Sequence, residues 1–226
     1  MGADVFCHAF TAYDAEQAWG ADEGGLSALQ NALLRHGTRI EFMQADFADP
    51  NAPHQVMATA LQAFGHIDIL VANHAYSTPG ALEEITAEQI DAHFVINVRG
   101  SLLLVKSFAA QHDDRRAGGR VVLMTSGQHL GPMPGELAYI ASKGALHQLT
   151  QSLAAHLAPR AITVNTVDPG ATDTGWATLE VYEAVRATHP QGRWGTPEDA
   201  ARAIGWLVSD DACWITGQVV ASRGGA

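Results

Sequence analysis

Lysine is almost missing from this sequence: Lys106 and Lys143 are its only two. With 24 acidic and 13 basic residues, the formal net charge is -11, and no basic patch or arm interrupts it. A chain that neutralises phosphates needs clustered Lys and Arg, so neither nucleic acid nor an anionic membrane is expected as a partner. Cysteine is equally sparse, with Cys7 and Cys213 at opposite ends. They form no C-x-x-C pair and no zinc spacing, which excludes a disulfide scaffold and points to a reducing, cytoplasmic setting. No apolar run approaches the roughly 18 residues of a membrane span, and the start does not read as a basic-then-apolar leader. The 11 histidines are scattered without ligand spacing, so no metal is expected.

What remains is ordinary for a soluble globular protein: 47% hydrophobic residues and 22 glycines in a chain of 226. That length suits one well-buried domain over residues 1–226 and is short for two. Short apolar strands are expected at DVFCHAF (4–10), TRIEFMQADF (38–47), HIDILVAN (66–73), GRVVLMTS (119–126), AITVNTVDPG (161–170) and ITGQVVAS (215–222). Helical patterns lie between them at 26–37, 54–65, 86–113, 136–159 and 196–209. The stretch 12–25 reads as polar and turn-rich. Strands alternating with helices predict a doubly wound α/β fold, a mostly parallel sheet in a Rossmann-like three-layer sandwich. In such sheets ligands sit beyond the carboxyl ends of the strands, which singles out Asn73, Ser126 and Pro169-Gly170.

Within AYIASKG (138–144), Tyr139 and Lys143 stand four positions apart and share one helix face. A free phenol, with a pKa of about 10, is a poor acid–base group near neutrality. A nearby ammonium lowers that value, and such a pair can exchange a proton with a carbonyl and alcohol couple. Tyr and Lys at this spacing also occur by chance on helix surfaces. Context decides between the two readings. Ser126 ends a buried strand, and GQHLGPMPGE (127–136), rich in Gly and Pro, can return it to Tyr139.

Ser126, then Tyr139 thirteen residues later, then Lys143, resembles the catalytic signature of the classical short-chain dehydrogenase/reductase family. ILVANHA (69–75) resembles the family's Asn-Asn-Ala-Gly segment, with His74 as a variant, and INVRG carries its helix asparagine at Asn97. NTVDPGATDT (165–174) and ITGQVVASRGG (215–225) resemble its last two strand ends. The resemblance implies that Tyr139 exchanges the proton, Lys143 lowers the tyrosine pKa and holds the nicotinamide ribose, and Ser126 orients the carbonyl oxygen. It implies that Asn97 supports a water linking Lys143 to solvent. Asp46 would sit by the adenine, and Asn73 and Ala75 would line the adenosine ribose side. Pro169, Gly170, Thr172 and Thr174 would border the nicotinamide end. The bland alternatives are a helix cap for Asp46, a turn stabiliser for Asn73, a turn filler for His74 and an N-cap for Thr174. The family resemblance also implies a homodimer or homotetramer, through the helices at 86–113 and 136–159 and the last strand.

The family opens with a strand, a glycine-rich turn and a helix, and the turn receives the cofactor pyrophosphate. Here the first strand matches the family's second, so an N-terminally truncated fold is expected. The strands at 4–10 and 66–73 should then either pair directly or leave a gap. GADEGG (20–25) follows the wrong strand and carries acids, so it is no substitute. Two functions follow: an oxidoreductase moving hydride between NAD(P)(H) and a ketone or secondary alcohol, or a homologue that binds dinucleotide weakly or not at all. The first strand lacks the acidic residue that reads adenosine ribose in NAD sites, a slight argument for NADP. His129, Met133, Leu137, Trp176, Tyr182 and Trp194 are expected near the substrate mouth, with 171–195 as a covering segment. Lys143 in place of arginine argues against a related dehalogenating branch.

Overall fold

The structure, a computed structural model, describes all residues except 1, 18, 19, 22–24, 35, 36 and 117. The element order is β1 (Val5–Ala9), α1 (Thr11–Glu16), α2 (Gly25–Leu34), β2 (Ile40–Gln44), α3 (Ala52–Phe64), β3 (Ile69–Ala72) and α4 (Ala87–His93). There follow a π-helical segment (Phe94–Gly100), α5 (Ser101–Gln111), β4 (Arg120–Met124), α6 (Leu137–Leu157), β5 (Thr163–Asp168), α7 (Leu179–Thr188), α8 (Pro197–Leu207) and β6 (Val219–Ala221). All ladders are parallel: β1 pairs with β2, and β3-β4-β5-β6 form a second sheet in that order. Among the described residues no ladder joins β1 to β3, so of the two expected outcomes the chain adopts the gap. Side chains cross it instead. His8 stacks on Phe47 at 4.1 Å, Phe47 meets His74 edge-on at 4.6 Å, and Arg99 donates to the carbonyls of Phe47 and Ala48.

Strand β4 shows why the molecule is layered. Its five residues are all buried, as a central parallel strand requires. Alternation divides them. Val121 and Leu123 join a core with Leu104, Val105 and Phe108 of α5 and Leu146, Ala154 and Leu157 of α6. Val122 and Met124 face the other way, onto Val167 and Leu207 of α8. Because the ladders are parallel and in register, the carboxyl ends of β3 to β6 emerge along one edge.

Three elements differ from the sequence reading. The turn-rich stretch 12–25 begins with the short helix α1. The single helix expected over 86–113 is interrupted by the π-helical segment after a capping box between Thr86 and Gln89. The covering segment 171–195 contains α7, whose N-cap is Thr178, not Thr174. Entry into β4 and β5 depends on one bare backbone position: a Cβ on Gly118 would lie 1.9 Å from the Ala161 carbonyl oxygen. A contact that close to backbone cannot be relieved by a rotamer. Gly118→Ala is therefore expected to destabilise the fold by about 3 kcal/mol, read as a lowered urea midpoint at unchanged slope.

Candidate active site

Helix α6 presents Tyr139 and Lys143 toward the end of β4. Two hydrogen bonds lock the helix to that strand end: Thr125 Oγ1 donates to the Lys143 carbonyl at 2.9 Å, and Lys143 Nζ donates to the Met124 carbonyl at 3.2 Å. Lys143 is 2% exposed, and burial pulls its pKa down to about 8. Its ammonium lies 5.8 Å from the centre of the Tyr139 ring. Burial pushes the Tyr139 phenol up to about 12; Glu136, Asp168 and Tyr13 push the same way, while the Ser126 hydroxyl beside it works against them. The expected depression of this phenol by Lys143 is thus corrected for the chain alone. Lys143 is turned to Met124, and desolvation dominates Tyr139. Ser126, Tyr139 and Lys143 nevertheless come together as the spacing suggested.

Asn97 sits in the π-helical segment, an irregularity often found at functional sites, and is fully buried. Its Nδ2 donates to the Tyr76 carbonyl and to Ser142 Oγ, both at 2.9 Å, and its Oδ1 accepts from the Tyr76 N–H at 2.7 Å. Ser142 Oγ in turn donates to the Tyr139 carbonyl at 2.7 Å. The amide expected to support a water is a clamp here. Both its N–H groups are taken by protein, which leaves one lone pair of Oδ1 for a water. The clamp ties the loop after β3 to the helix that carries the phenol. Tyr76 also packs on His93 at 4.9 Å and on Tyr13 at 5.4 Å, and the Tyr13 hydroxyl donates to the Ser77 carbonyl.

The remaining residues divide. Asn73 and Ala75 are exposed at the end of β3. His74 fills the turn, with Nε2 on the Ile96 carbonyl at 3.1 Å, and burial holds its pKa near 3, so it stays neutral. Asp46 turns Oδ1 to the Ala48 N–H at 2.8 Å, an Asx turn well before α3, whose N-cap is Asn51, so Asp46 is not the helix cap weighed against an adenine contact. The Thr172 hydroxyl is spent on the carbonyls of Pro169 and Gly170. Tyr182 stacks on Trp194 at 5.3 Å, packing the covering segment down, whereas Trp176 stays 49% exposed. His129 leans on the Ser126 carbonyl through Nδ1 at 3.1 Å. Sequence reasoning missed Asp168 and Arg223. Asp168 is 1% exposed and is paired at 3.1 Å with Arg223, which follows β6. The signal was an acid within a strand end otherwise apolar enough to be buried, which demands a partner.

A nicotinamide dinucleotide can be tested against the donors present. Lys143 has three N–H groups and only one protein acceptor, the Met124 carbonyl, among the described residues. Two buried donors at the strand end suit the vicinal hydroxyls of a ribose, so the nicotinamide end fits.

A parallel α/β sheet with Ser, Tyr and Lys gathered at its carboxyl edge defines a Rossmann-like oxidoreductase. The family model for enoyl-(acyl carrier protein) reductase matches residues 13–226. The chain belongs to the classical short-chain dehydrogenase/reductase family and is an NAD(P)-dependent oxidoreductase of it. It is 42% identical over 208 residues to the uncharacterized oxidoreductase YjdA of Bacillus subtilis (strain 168), covering 92% of this chain and 83% of that one. A variant of a Serratia marcescens short-chain dehydrogenase/reductase superposes with a TM-score of 0.87 at 31% identity, covering 99% of this chain and 87% of that one. The angucycline C-6 ketoreductase LanV, solved with bound NADP, gives 0.86 at 30% identity, with 99% and 86% covered. Among the described residues no helix is long and apolar enough to cross a membrane.

Proposed function

We propose that this protein reduces a ketone to a secondary alcohol, or runs the reverse oxidation, with Tyr139 carrying the proton. The observation behind this is the half-buried phenol of Tyr139, on one helix face with a buried lysine and beside the Ser126 hydroxyl. The dinucleotide, when bound, supplies or accepts the hydride. Ser126 orients the carbonyl oxygen, and Tyr139, protonated at neutral pH, donates to that oxygen. The spare Lys143 donors hold the ribose. Asn97, through Ser142 and Tyr76, keeps the phenol's helix and the loop after β3 in one arrangement. Asn73, Ala75 and Asp46 border the adenosine half, and Pro169, Gly170, Thr172 and Thr174 the nicotinamide end.

NADP is the favoured cofactor. No acid ends β1, and the first one after it, Asp14, lies in α1. The protein acts as one domain, cytoplasmic and homodimeric or homotetrameric; Ile90 in α4 and Phe94 at its end, 37% and 39% exposed, offer apolar surface for such an assembly. A second reading, a homologue that does not retain the dinucleotide, draws support from the gap between β1 and β3. Titration with NADPH and NADH, followed by nicotinamide fluorescence, separates the two. Saturation is expected at lower NADPH than NADH concentration. A folded sample that saturates with neither sinks the reductase reading for this chain.

A further inference from the structure

Arg223 leaves the end of β6 and lies back across the carboxyl edge of the sheet. Two glycines make room for it. A Cβ on Gly127, the residue after Ser126, would stand 2.1 Å from Nη1, and one on Gly170 would stand 2.9 Å from Cγ. The guanidinium therefore rests on bare backbone beside the serine. Nη1 donates to Asp168 Oδ2 at 3.1 Å, while Asp168 Oδ1 accepts from the Gly170 N–H at 3.0 Å. Among the described residues, neither Nε nor Nη2 of Arg223 has a protein acceptor. Nε is enclosed, but the side chain remains 22% exposed and lines a cavity of about 200 Å³ with Pro169, His189 and Gln191. The tail is also pinned from the covering segment. His189 Nε2 donates to the Arg223 carbonyl and Gln191 Nε2 to the Gly224 carbonyl, both at 2.9 Å. The His189 tautomer follows from its other nitrogen, which accepts the Gln191 N–H at 3.1 Å.

Neutralising Asp168 needs only a positive point charge. A planar fork seated on two glycines, held at one nitrogen and free at another, is the arrangement that recognises a further acceptor. We propose that Arg223 is a specificity-determining residue of the site, its unpartnered Nη2–H binding a second oxygen of the substrate. The site then selects ketones carrying an oxygen acceptor near the reacting carbonyl over simple ketones. This rests on the reductase reading above. The second oxygen belongs to a neutral group or to a carboxylate, and the test separates these.

The test compares ethyl acetoacetate, acetoacetate and pentan-2-one as substrates of the full chain and its variants. The wild type is expected to prefer an oxygenated ketone in kcat/KM. In Arg223→Met that preference should fall about tenfold, mostly through KM, as loss of one charge-assisted hydrogen bond predicts. A fall confined to acetoacetate supports carboxylate recognition; a fall for the ester as well supports a neutral acceptor. Arg223→Met leaves Asp168 unpaired and risks misfolding, so the neutral pair Asp168→Asn with Arg223→Met is tested beside it. Arg223→Lys keeps the charge without the fork. Both should fold and both should lose the preference. If either retains the wild-type preference, Arg223 only neutralises Asp168 and the proposal is overturned. Saturation-transfer NMR without dinucleotide provides a readout independent of turnover. Should the wild type reduce none of the three ketones, the reductase reading is decided by the NADPH and NADH titration and not by this comparison. An Arg223-dependent signal from either oxygenated ketone would still uphold recognition, and equal signals in wild type and variants would overturn it.

Discussion

Exchange of Lys143 for methionine is expected to stabilise the protein at pH 7 while abolishing its turnover. The lysine is 2% exposed, and its Nζ has a single protein acceptor among the described residues. Burial takes its pKa from an ordinary 10.5 to about 8. That difference corresponds to roughly 3 kcal/mol against the charged form in the folded state. Methionine fills similar space without a charge, and such replacements of buried ions by apolar groups often stabilise. The sign with pH follows from linkage. The folded value lies below the unfolded one, so the unfolded chain holds the proton more tightly between about 8 and 10.5. Wild-type stability from this group rises with pH across that window. The methionine variant's advantage is therefore full below pH 8 and shrinks above it. Tyr139, raised from 10 to about 12, works the other way, but only above 10. The difference between variant and wild type in urea denaturation at pH 7 and again near pH 9.5 reads the lysine, because the Cys7 thiol, which burial raises above its ordinary 9.0, contributes equally to both. A variant no more stable than wild type at pH 7 would show that the ammonium is better solvated than its burial implies. The same variant should bind nicotinamide dinucleotide poorly, because the ribose-holding donors are gone.

Replacement of Tyr139 by phenylalanine should lower turnover by about two to four orders of magnitude, the usual worth of a positioned general acid. The fold should persist, since the ring and its enclosure are kept and only the hydroxyl is lost. With the phenol held at about 12, it is protonated throughout the neutral range. Ketone reduction by the wild type should accordingly vary little between pH 6 and 8. Alcohol oxidation needs the phenolate and should climb with pH until the fold gives way. The phenylalanine variant should lose that climb. Rates measured in both directions across pH decide the matter. A phenylalanine variant keeping a tenth of wild-type turnover would remove Tyr139 from the proton path.

The sites that strand ends and helix spacing mark out were legible early. A period of 3.6 places Tyr139 and Lys143 on one face whatever surrounds them, and an apolar strand buried on both sides brings Ser126 to an open edge. The same reasoning foresaw a gap as one fate of β1 and β3, and the tertiary structure chose it over direct pairing. It did not foresee that the helix through Asn97 would loosen into a π turn. In that turn Asn97 bonds to Tyr76 and Ser142, 21 and 45 residues away, which no local pattern joins to it. Nor could it join Asp168 to Arg223, 55 positions apart and paired only because β5 and β6 lie side by side.

By itself, then, the sequence determined the parallel α/β class, the strand ends that form the site and the serine, tyrosine and lysine gathered there, because these follow from local periodicity and short spacing. Only the tertiary structure decided the direction in which the phenol's proton affinity moves, the clamp made by Asn97 and the arginine laid beside the serine. Desolvation and long-range pairing are properties of the packed chain, and no local pattern records them.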